Sequence, residues 1–293
     1  MVTMELFETY KIMIEEGIKN SLESFGSPTQ SIRAPVEYAL TNGGKRIRPM
    51  LVCMIAKGLG KNRDVLDSAL AIEFIHTSTL IADDLPCMDN DDERRGHPTV
   101  HKVFCEASAL LASYALIPSA YAHIRSNARK LKQQGIDAEE INIAYSIICD
   151  IIDKNIGVNG VLAGQYEDMF FNNQGPEYVQ SIINKKTGSL FEVACISGWL
   201  FGGGTTSCIP QILEFSRQFG LLFQLKDDIL DMNQDRQDVG LNYALLFGIE
   251  EAKATLNSSI TNCLSLLNHL KNHGLKDSSE IETLIEYMSV RTY

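Results

Sequence analysis

Closely spaced cysteines, long apolar runs and an excess of basic residues are all missing from this chain of 293 residues. Its seven cysteines lie at positions 53, 87, 105, 149, 195, 208 and 263, and the nearest two are 13 residues apart. This spacing excludes the CxxC redox motif and the usual zinc sites. We therefore expect reduced thiols in a cytoplasmic protein.

No segment is apolar enough to predict a transmembrane span. The longest uncharged stretch, Val193 to Leu213, is interrupted by glycines 202–204 and by Pro210, so it predicts two helices joined by a turn. The first twenty residues lack the basic and then apolar pattern of an export signal. Lys and Arg number 26 against 37 Asp and Glu, and the net charge of −11 would repel a nucleic-acid backbone. Nucleic acid is therefore not expected as a partner.

Alternating apolar and polar residues, which indicate strands, are equally scarce. Apolar residues instead recur at intervals of three and four, for example at Leu66, Leu70 and Phe74, which predicts helices. No repeat, low-complexity segment or linker divides the chain. We expect an all-α protein of one domain over residues 1–293. About ten or more helices would form a bundle, with the most apolar segments, 106–121 and 207–232, in the middle.

The densest functional signal is a run of carboxylates at the end of a predicted helix. Residues 80–96 read LIADDLPCMDNDDERRG, in which Asp83, Asp84 and Asp89 follow a largely apolar segment. A calcium loop beginning at Asp89 is excluded, because its sixth position is Arg94 where glycine is required. Magnesium fits better, since it takes one or two carboxylates and completes its shell with water and phosphate oxygens.

A second carboxylate cluster supports this interpretation. Residues 223–231 read FQLKDDILD, and Asp227 and Asp231 share one face of a helix with Asp228 beside them. Carboxylates four residues apart repel one another unless a cation joins them. We expect the two clusters to face each other across a deep central cavity and to hold several magnesium ions around one diphosphate. Nearby arginines and lysines 185–186 would neutralise the remaining phosphate charge. An amphiphile with a diphosphate head and a hydrocarbon tail fits this description.

Five motifs of the chain resemble those of the trans-prenyl diphosphate synthases, in the order in which that family has them. Residues 76–106 resemble the first aspartate-rich region, and 223–231 resemble the second. The others are GGKRIRP at 43–49, GQYED at 164–168 and KTG at 186–188. Together they span about two thirds of the chain. The resemblance implies an all-α fold of the isoprenoid synthase type and a homodimer.

The resemblance also implies a role for each matching residue. Isopentenyl diphosphate would be held by Gly44, Lys45, Arg48, His76 and Arg95. The allylic diphosphate would contact Arg94, Lys186, Thr187 and Gln224. About three magnesium ions would be bound by Asp83, Asp84, Asp89, Asp227, Asp228 and Asp231. His76 precedes Asp83 by seven residues, nearly two helical turns, so the two share one face about 10 Å apart.

The implied reaction is electrostatic, because no Ser-His-Asp arrangement or reactive cysteine is readable. Asp83, Asp84, Asp89, Arg94, Lys186 and Asp227 would assist ionisation of the allylic diphosphate. In the resembled family, residues four and five positions before the first aspartate form the floor of the tail pocket. Here these are Thr79 and Ser78, whose small side chains favour geranylgeranyl diphosphate over farnesyl diphosphate. Tyr114 on a neighbouring helix is a second candidate for the floor.

The chain departs from the family after Asp231. The loop there is shorter, both expected lysines are missing, and only Arg236 offers a nearby cation. A weakly active member that needs a partner subunit is therefore an alternative. A class I terpene cyclase is less favoured, because no NDxxSxxxE motif is present. A purely structural helical protein would show no magnesium-dependent binding of diphosphate.

Overall fold

The computed structural model of the chain describes residues 2–29, 31–170, 175–232 and 241–291. Its α-helices in chain order are α1 (Val2–Ser21), α2 (Arg33–Thr41), α3 (Ile47–Gly58), α4 (Leu66–Asp83), α5 (Val100–Val103), α6 (Glu106–Gln133), α7 (Ala138–Ile156), α8 (Val161–Met169), α9 (Pro176–Ile183), α10 (Ser189–Phe201), α11 (Ile209–Asp231), α12 (Tyr243–Phe247), α13 (Ile249–Lys271) and α14 (Ser279–Val290). Short 3-10 turns occupy Leu22–Phe25 and Thr206–Cys208, and a π-helical turn occupies Asn184–Gly188.

The predicted all-α class is confirmed. In the described ranges, the sheet structure consists of one short antiparallel hairpin, β1 (Glu93–Arg94) and β2 (His97–Pro98). The helices divide into two compact units. Unit 1 comprises Met1–Cys53 and Asp64–Tyr145, and unit 2 comprises Met54–Arg63 and Ser146–Tyr293. A single domain over 1–293 and a deep cavity within it remain predictions.

Unit 1 has α4 and α6 at its centre, and these two helices pack along each other. Small residues on α6, among them Ala109 and Ala112, are fully buried and permit the close approach. Phe74 on α4 is also fully buried, and its ring lies edge-on to that of Phe25 with 6.0 Å between the centroids. Burying one such side chain contributes about 1.5–3 kcal/mol. This packing fixes the axis of α4, the helix that ends in the first aspartate segment.

Unit 2 is built around α10 and α11. Every residue of α10 is buried, and the ring of Phe191 lies 5.1 Å from that of Phe219 on α11. Gly220 is required where α11 meets the π-helical turn before α10, because a Cβ at that position would lie 2.8 Å from the Cα of Gly188. The contact fixes the last turns of α11, which contain the second aspartate cluster.

The prediction that residues 106–121 lie in the middle of the bundle is wrong for one face of α6. Leu111 and Tyr114 are 55% and 63% exposed. Among the described helices α10 is the most completely buried, and Glu192 is the one charged residue in it. In the described ranges, no helix is long and apolar enough to cross a membrane.

Candidate functional site

The first aspartate segment begins where α4 ends. Asp84 lies just beyond the helix and is 3% exposed. It accepts hydrogen bonds from Nε and Nη2 of Arg94 at 2.8 and 2.5 Å. Burial raises the pKa of Asp84, while Arg94 opposes this effect. Asp89 returns towards the helix, since its amide donates to the Asp83 carbonyl at 2.9 Å.

The hairpin β1–β2 places the two arginines that follow this segment. Arg94 also donates to Asp91 at 2.8 Å, so two carboxylates hold its guanidinium. Arg95 occupies the turn and donates to the carbonyl of Gly43 at 2.5 Å. Gly44 has a φ of +129°, and a Cβ there would lie 2.7 Å from the guanidinium carbon of Arg95. The structure therefore brings together two motifs that lie about fifty residues apart.

His76 lies on α4 among arginines of unit 1. Its Nε2 is 3.4 Å from Nη1 of Arg48 on α3. The pKa of His76 lies well below its ordinary value, first because of burial and then because of Arg48 and Arg95, with Arg46 and Arg94 adding to the effect. The imidazole is therefore neutral. Asp84, Arg94 and Arg95 also line one small cavity of about 30 Å³. Lys45 is exposed.

The neutral His76 predicts a pH dependence of stability. Because its pKa is lower in the folded state, the unfolded chain binds more protons below about pH 6.5, so folding is destabilised as the pH falls through that value. Between pH 7.5 and 5.5 we expect the unfolding free energy of the wild type to fall by about 1 kcal/mol more than that of His76→Gln. Urea unfolding at both pH values measures this difference. The exposed His97→Gln variant is the control, and equal losses in all three proteins would refute the assignment.

The predicted floor residues lie on the same helix. Ser78 is buried, and its Oγ is 3.2 Å from Oγ of Ser113 on α6, which also bonds to the Ser78 carbonyl at 2.9 Å. Thr79 is half-buried and donates to the carbonyl of His76 at 2.8 Å. Tyr114 is largely exposed in unit 1, so Ser113 is the residue of α6 that faces Ser78. Their role as a floor remains a prediction.

The second aspartate cluster closes α11 in unit 2. Asp228 is 4% exposed and accepts from Nε2 of Gln224 at 2.8 Å and from the amide of Tyr243 at 2.9 Å. Asn242 fixes the same turn by donating to the Asp228 carbonyl at 2.9 Å. Asp227 is paired with Arg291 at 2.7 Å. Arg236 and the short loop after Asp231 lie at 233–240, outside the described residues.

The π-helical turn of unit 2 presents the residues of the KTG motif. Thr187 donates to Oε1 of Gln224 at 2.8 Å, so one chain of hydrogen bonds links Thr187, Gln224 and Asp228. Lys186 donates to Asp168 of the GQYED motif at 2.5 Å. A Cβ at Gly164 would lie 2.4 Å from the Lys186 amide nitrogen, which explains the glycine of that motif. The structure thus brings together Thr187 and Gln224, which are predicted to contact the allylic diphosphate, and Asp228, which is predicted to bind magnesium.

The predicted metal ligands offer the chemistry that magnesium prefers. Hard carboxylate oxygens are present in both segments, and magnesium needs only one or two of them when phosphate supplies the rest. Among the described residues, no group of three acidic, histidine or cysteine side chains is assembled for a metal. The six predicted magnesium ligands therefore remain a prediction. That both segments share one ligand remains a prediction.

Sequence reasoning missed three residues of these sites. Arg46 stands between the predicted ligands Lys45 and Arg48, but its side chain is buried. It bonds to Glu73, to Glu15 at 2.7 Å and to a backbone carbonyl. Asp168 and Arg291 were also missed as partners of predicted site residues. Arg46 and Asp168 lie within the GGKRIRP and GQYED motifs, whereas Arg291 lies in no recognised motif and carried no signal.

The all-α fold, with carboxylates at the ends of α4 and α11, is that of the isoprenoid synthases. The chain belongs to the polyprenyl synthetase family, whose sequence model matches residues 29–286. The predicted family and enzyme class, prenyltransferase, are confirmed. The crystal structure of an FPP/GFPP synthase from Zymomonas mobilis has a TM-score of 0.81 and 27% identity, covering 98% of this chain and 99% of that one.

Relatives from Arabidopsis thaliana are similar over most of the chain. Geranylgeranyl pyrophosphate synthase 4 is 37% identical over 267 residues, which cover 84% of this chain and 68% of the relative. Heterodimeric geranylgeranyl pyrophosphate synthase large subunit 1, chloroplastic, is 35% identical over 270 residues, covering 84% and 70%. The family assignment therefore rests on the greater part of the chain.

Proposed function

We propose that the chain condenses isopentenyl diphosphate with allylic diphosphates and releases geranylgeranyl diphosphate. One observation carries this proposal. His76, Arg48, Arg94 and Arg95 are grouped in unit 1 at the end of α4, where the first aspartate segment begins. Such a concentration of guanidinium groups suits a diphosphate, which accepts paired hydrogen bonds from arginine. Relatives named as geranylgeranyl pyrophosphate synthases support the choice of product.

Isopentenyl diphosphate is held in this proposal by Gly44, Lys45, Arg48, His76 and Arg95. The neutral imidazole of His76 retains one donor nitrogen, which suits a diphosphate oxygen. Arg95 already bonds to the Gly43 carbonyl, so it keeps the glycine loop close to the ligand. Because Gly44 has no side chain, the guanidinium can lie directly over its backbone. These residues bind and orient the nucleophilic substrate.

The allylic diphosphate is bound by Arg94, Lys186, Thr187 and Gln224. Charge develops on this group as its C–O bond breaks, and cationic donors that are already positioned stabilise that charge. Magnesium, about three ions per site, supplies further charge stabilisation when bound by Asp83, Asp84, Asp89, Asp227, Asp228 and Asp231. Asp168 holds the Lys186 ammonium, and Gln224 accepts from the hydroxyl of Thr187, before substrate arrives.

Carbon–carbon bond formation follows ionisation. The double bond of isopentenyl diphosphate attacks the allylic cation head to tail, and a proton then leaves the new tertiary cation. The departed diphosphate is the base that takes this proton in our proposal. An apolar pocket that excludes water protects the cation from hydrolysis. The chain itself binds and orients both substrates and stabilises the leaving group.

Product analysis tests this function directly. Labelled isopentenyl diphosphate is incubated with dimethylallyl, geranyl or farnesyl diphosphate, with magnesium or with EDTA. We expect the 20-carbon diphosphate from all three starters and no product in EDTA. A 15-carbon product would identify a farnesyl diphosphate synthase instead. Hydrocarbon or alcohol released from an allylic diphosphate alone would identify a terpene cyclase and contradict the proposal.

Product length provides a prediction about the floor of the tail pocket. We expect Ser78→Phe and Thr79→Phe to shift the main product from 20 to 15 carbons, because an aromatic ring fills volume that the small hydroxyl side chain leaves open. Chromatography of the dephosphorylated products measures the shift. Ser78→Ala and Thr79→Ala add no volume and should retain the 20-carbon product. Unchanged length in both phenylalanine variants would refute Ser78 and Thr79 as the floor.

A homodimer in the cytoplasm completes the proposal. Leu110, Leu111 and Tyr114 form an exposed apolar face on α6, which a second copy of the chain would cover. None of the seven cysteines, all of which lie in the described ranges, forms a disulfide, and this supports a reducing compartment. A relative is named as a heterodimeric large subunit, so a different partner is the alternative. Sedimentation equilibrium of the purified chain distinguishes a monomer from a homodimer.

A further inference from the structure

Arg291 is a buried cation immediately after α14. Its side chain is 0% exposed, although a guanidinium remains charged in proteins. Nη2 lies 2.7 Å from Oδ1 of Asp227 and 3.3 Å from the carbonyl of Phe223. The guanidinium carbon lies 5.0 Å from the centre of the Phe223 ring. Arg291 is therefore fixed on the last turns of α11, inside the second aspartate motif.

Asp227 provides the compensating charge for this arginine. Nε and Nη1 of Arg291 are buried without a hydrogen-bond partner among the described residues. A buried charge is costly unless an opposite charge accompanies it. The ion pair with Asp227 therefore stabilises both Arg291 and the acidic end of α11.

We propose that Arg291 is the internal counter-ion of the second aspartate cluster and holds Asp227 in place of a divalent cation until the diphosphate and its metal arrive. The proposal rests on the proposed function only in taking Asp227 as a metal ligand. Arg291 acts through Asp227 and is thus a positioning residue.

The charge of Arg291 decides the direction of its effect. A metal-ligating histidine usually donates its second N–H to a carboxylate or carbonyl, which raises the basicity of the ligand and strengthens metal binding. A guanidinium does the opposite, because it competes with the metal for the electrons of the carboxylate and repels the incoming cation. Without the metal, however, it relieves the repulsion between Asp227 and Asp231 on one helix face. Arg291 therefore stabilises the metal-free chain and weakens the binding of metal alone.

The test is a titration of the full chain with manganese ions in the absence of substrate. Electron paramagnetic resonance measures how much manganese is bound at each step of the titration. We expect Arg291→Gln to bind manganese about tenfold more tightly than the wild type, and to melt at a lower temperature in EDTA. Arg291→Lys retains the charge and should restore the wild-type affinity. Arg217→Gln is the matched control, because it removes a half-exposed arginine of unit 2 from its pair with Glu192.

These outcomes distinguish the proposed role of Arg291 from a purely structural one. Equal or weaker manganese binding by Arg291→Gln would overturn the proposal, even if its melting temperature falls. In the Asp227→Asn background, replacing Arg291 should no longer change the affinity. If the wild type binds no manganese even with inorganic diphosphate present, the proposed function fails together with this inference. If the wild type binds manganese and Arg291→Gln binds it equally tightly, this inference fails while the proposed function stands.

Hydrogen exchange of the wild type gives a second measurement that needs no variant. The amide of Arg291 donates to the Tyr287 carbonyl at 3.0 Å, which ties the residue to the end of α14. If the metal replaces Arg291 at Asp227, manganese with inorganic diphosphate should speed exchange of the amides at 287–291. Unchanged or slower exchange in these residues would contradict the replacement.

Discussion

Asp84→Asn is expected to reduce kcat for prenyl transfer about 10³-fold, because a lost metal ligand removes several kcal/mol of stabilisation from the departing diphosphate. Asp84 is buried beside Arg94. Asparagine has the same shape as aspartate, so the variant removes only the charge of this side chain. Steady-state kinetics at saturating isopentenyl and farnesyl diphosphates measure kcat. The concentration of magnesium that gives half of the maximal rate should rise in the same variant.

Asp91→Asn is the matched control for this result. Asp91 accepts from the same Nη2 of Arg94 at 2.8 Å, but it is half-exposed and is outside the predicted ligand set. If Asp84 acts by binding metal, Asp91→Asn should change kcat only a few-fold. If both variants lose activity equally, the role of Asp84 is to hold Arg94, and its assignment as a metal ligand is wrong.

Arg46→Met is expected to lower the free energy of unfolding by about 3–5 kcal/mol, because it leaves a buried carboxylate without its partner. Arg46 bonds to Glu73, which is 2% exposed, and to Glu15 on α1 at 2.7 Å. Its φ of +53° places it in the left-handed region, between the predicted ligands Lys45 and Arg48. Urea unfolding measures the loss, and the KM for isopentenyl diphosphate should rise as the loop is released.

Two further variants test this explanation of the loss. Arg33→Met removes a surface pair with Glu37, which is worth about 0–1 kcal/mol, so it should cost far less. Replacing Glu73 by Leu in the Arg46→Met background removes the orphaned buried charge and should recover part of the loss. A loss no larger than that of Arg33→Met would show that the buried network contributes little.

The all-α fold follows from the sequence because apolar spacing reports directly on helix faces. The prediction for α4 succeeds for this reason: its apolar residues recur at helical intervals, and the helix ends at Asp83, shortly before Pro86. Apolar spacing does not, however, predict which helices lie deepest in the fold. Residues of α6 are apolar but partly exposed, while α10 is entirely buried. A sequence pattern shows that a face is apolar and does not show what covers it.

The site shows a similar division between local and distant contacts. The motifs identify Asp84, Arg94, Thr187 and Gln224, and each unit brings its own members of this set into hydrogen-bond distance. The pair of Arg291 with Asp227 was not predictable, because 64 residues separate them and Arg291 lies in no recognised motif. Burial of Arg46 was equally hidden, since adjacent cations in one motif look alike in sequence.

We propose that aspartates of two distant segments hold one diphosphate through shared magnesium ions. The most direct measurement is a crystal structure with magnesium, isopentenyl diphosphate and a farnesyl thiolodiphosphate, whose C–S bond resists ionisation. We predict metal ions that bridge the thiolodiphosphate to Asp83 or Asp84 and also to Asp227. Ions and diphosphate bound by one aspartate segment alone, with the other segment free of ligands, would contradict shared binding by the two segments.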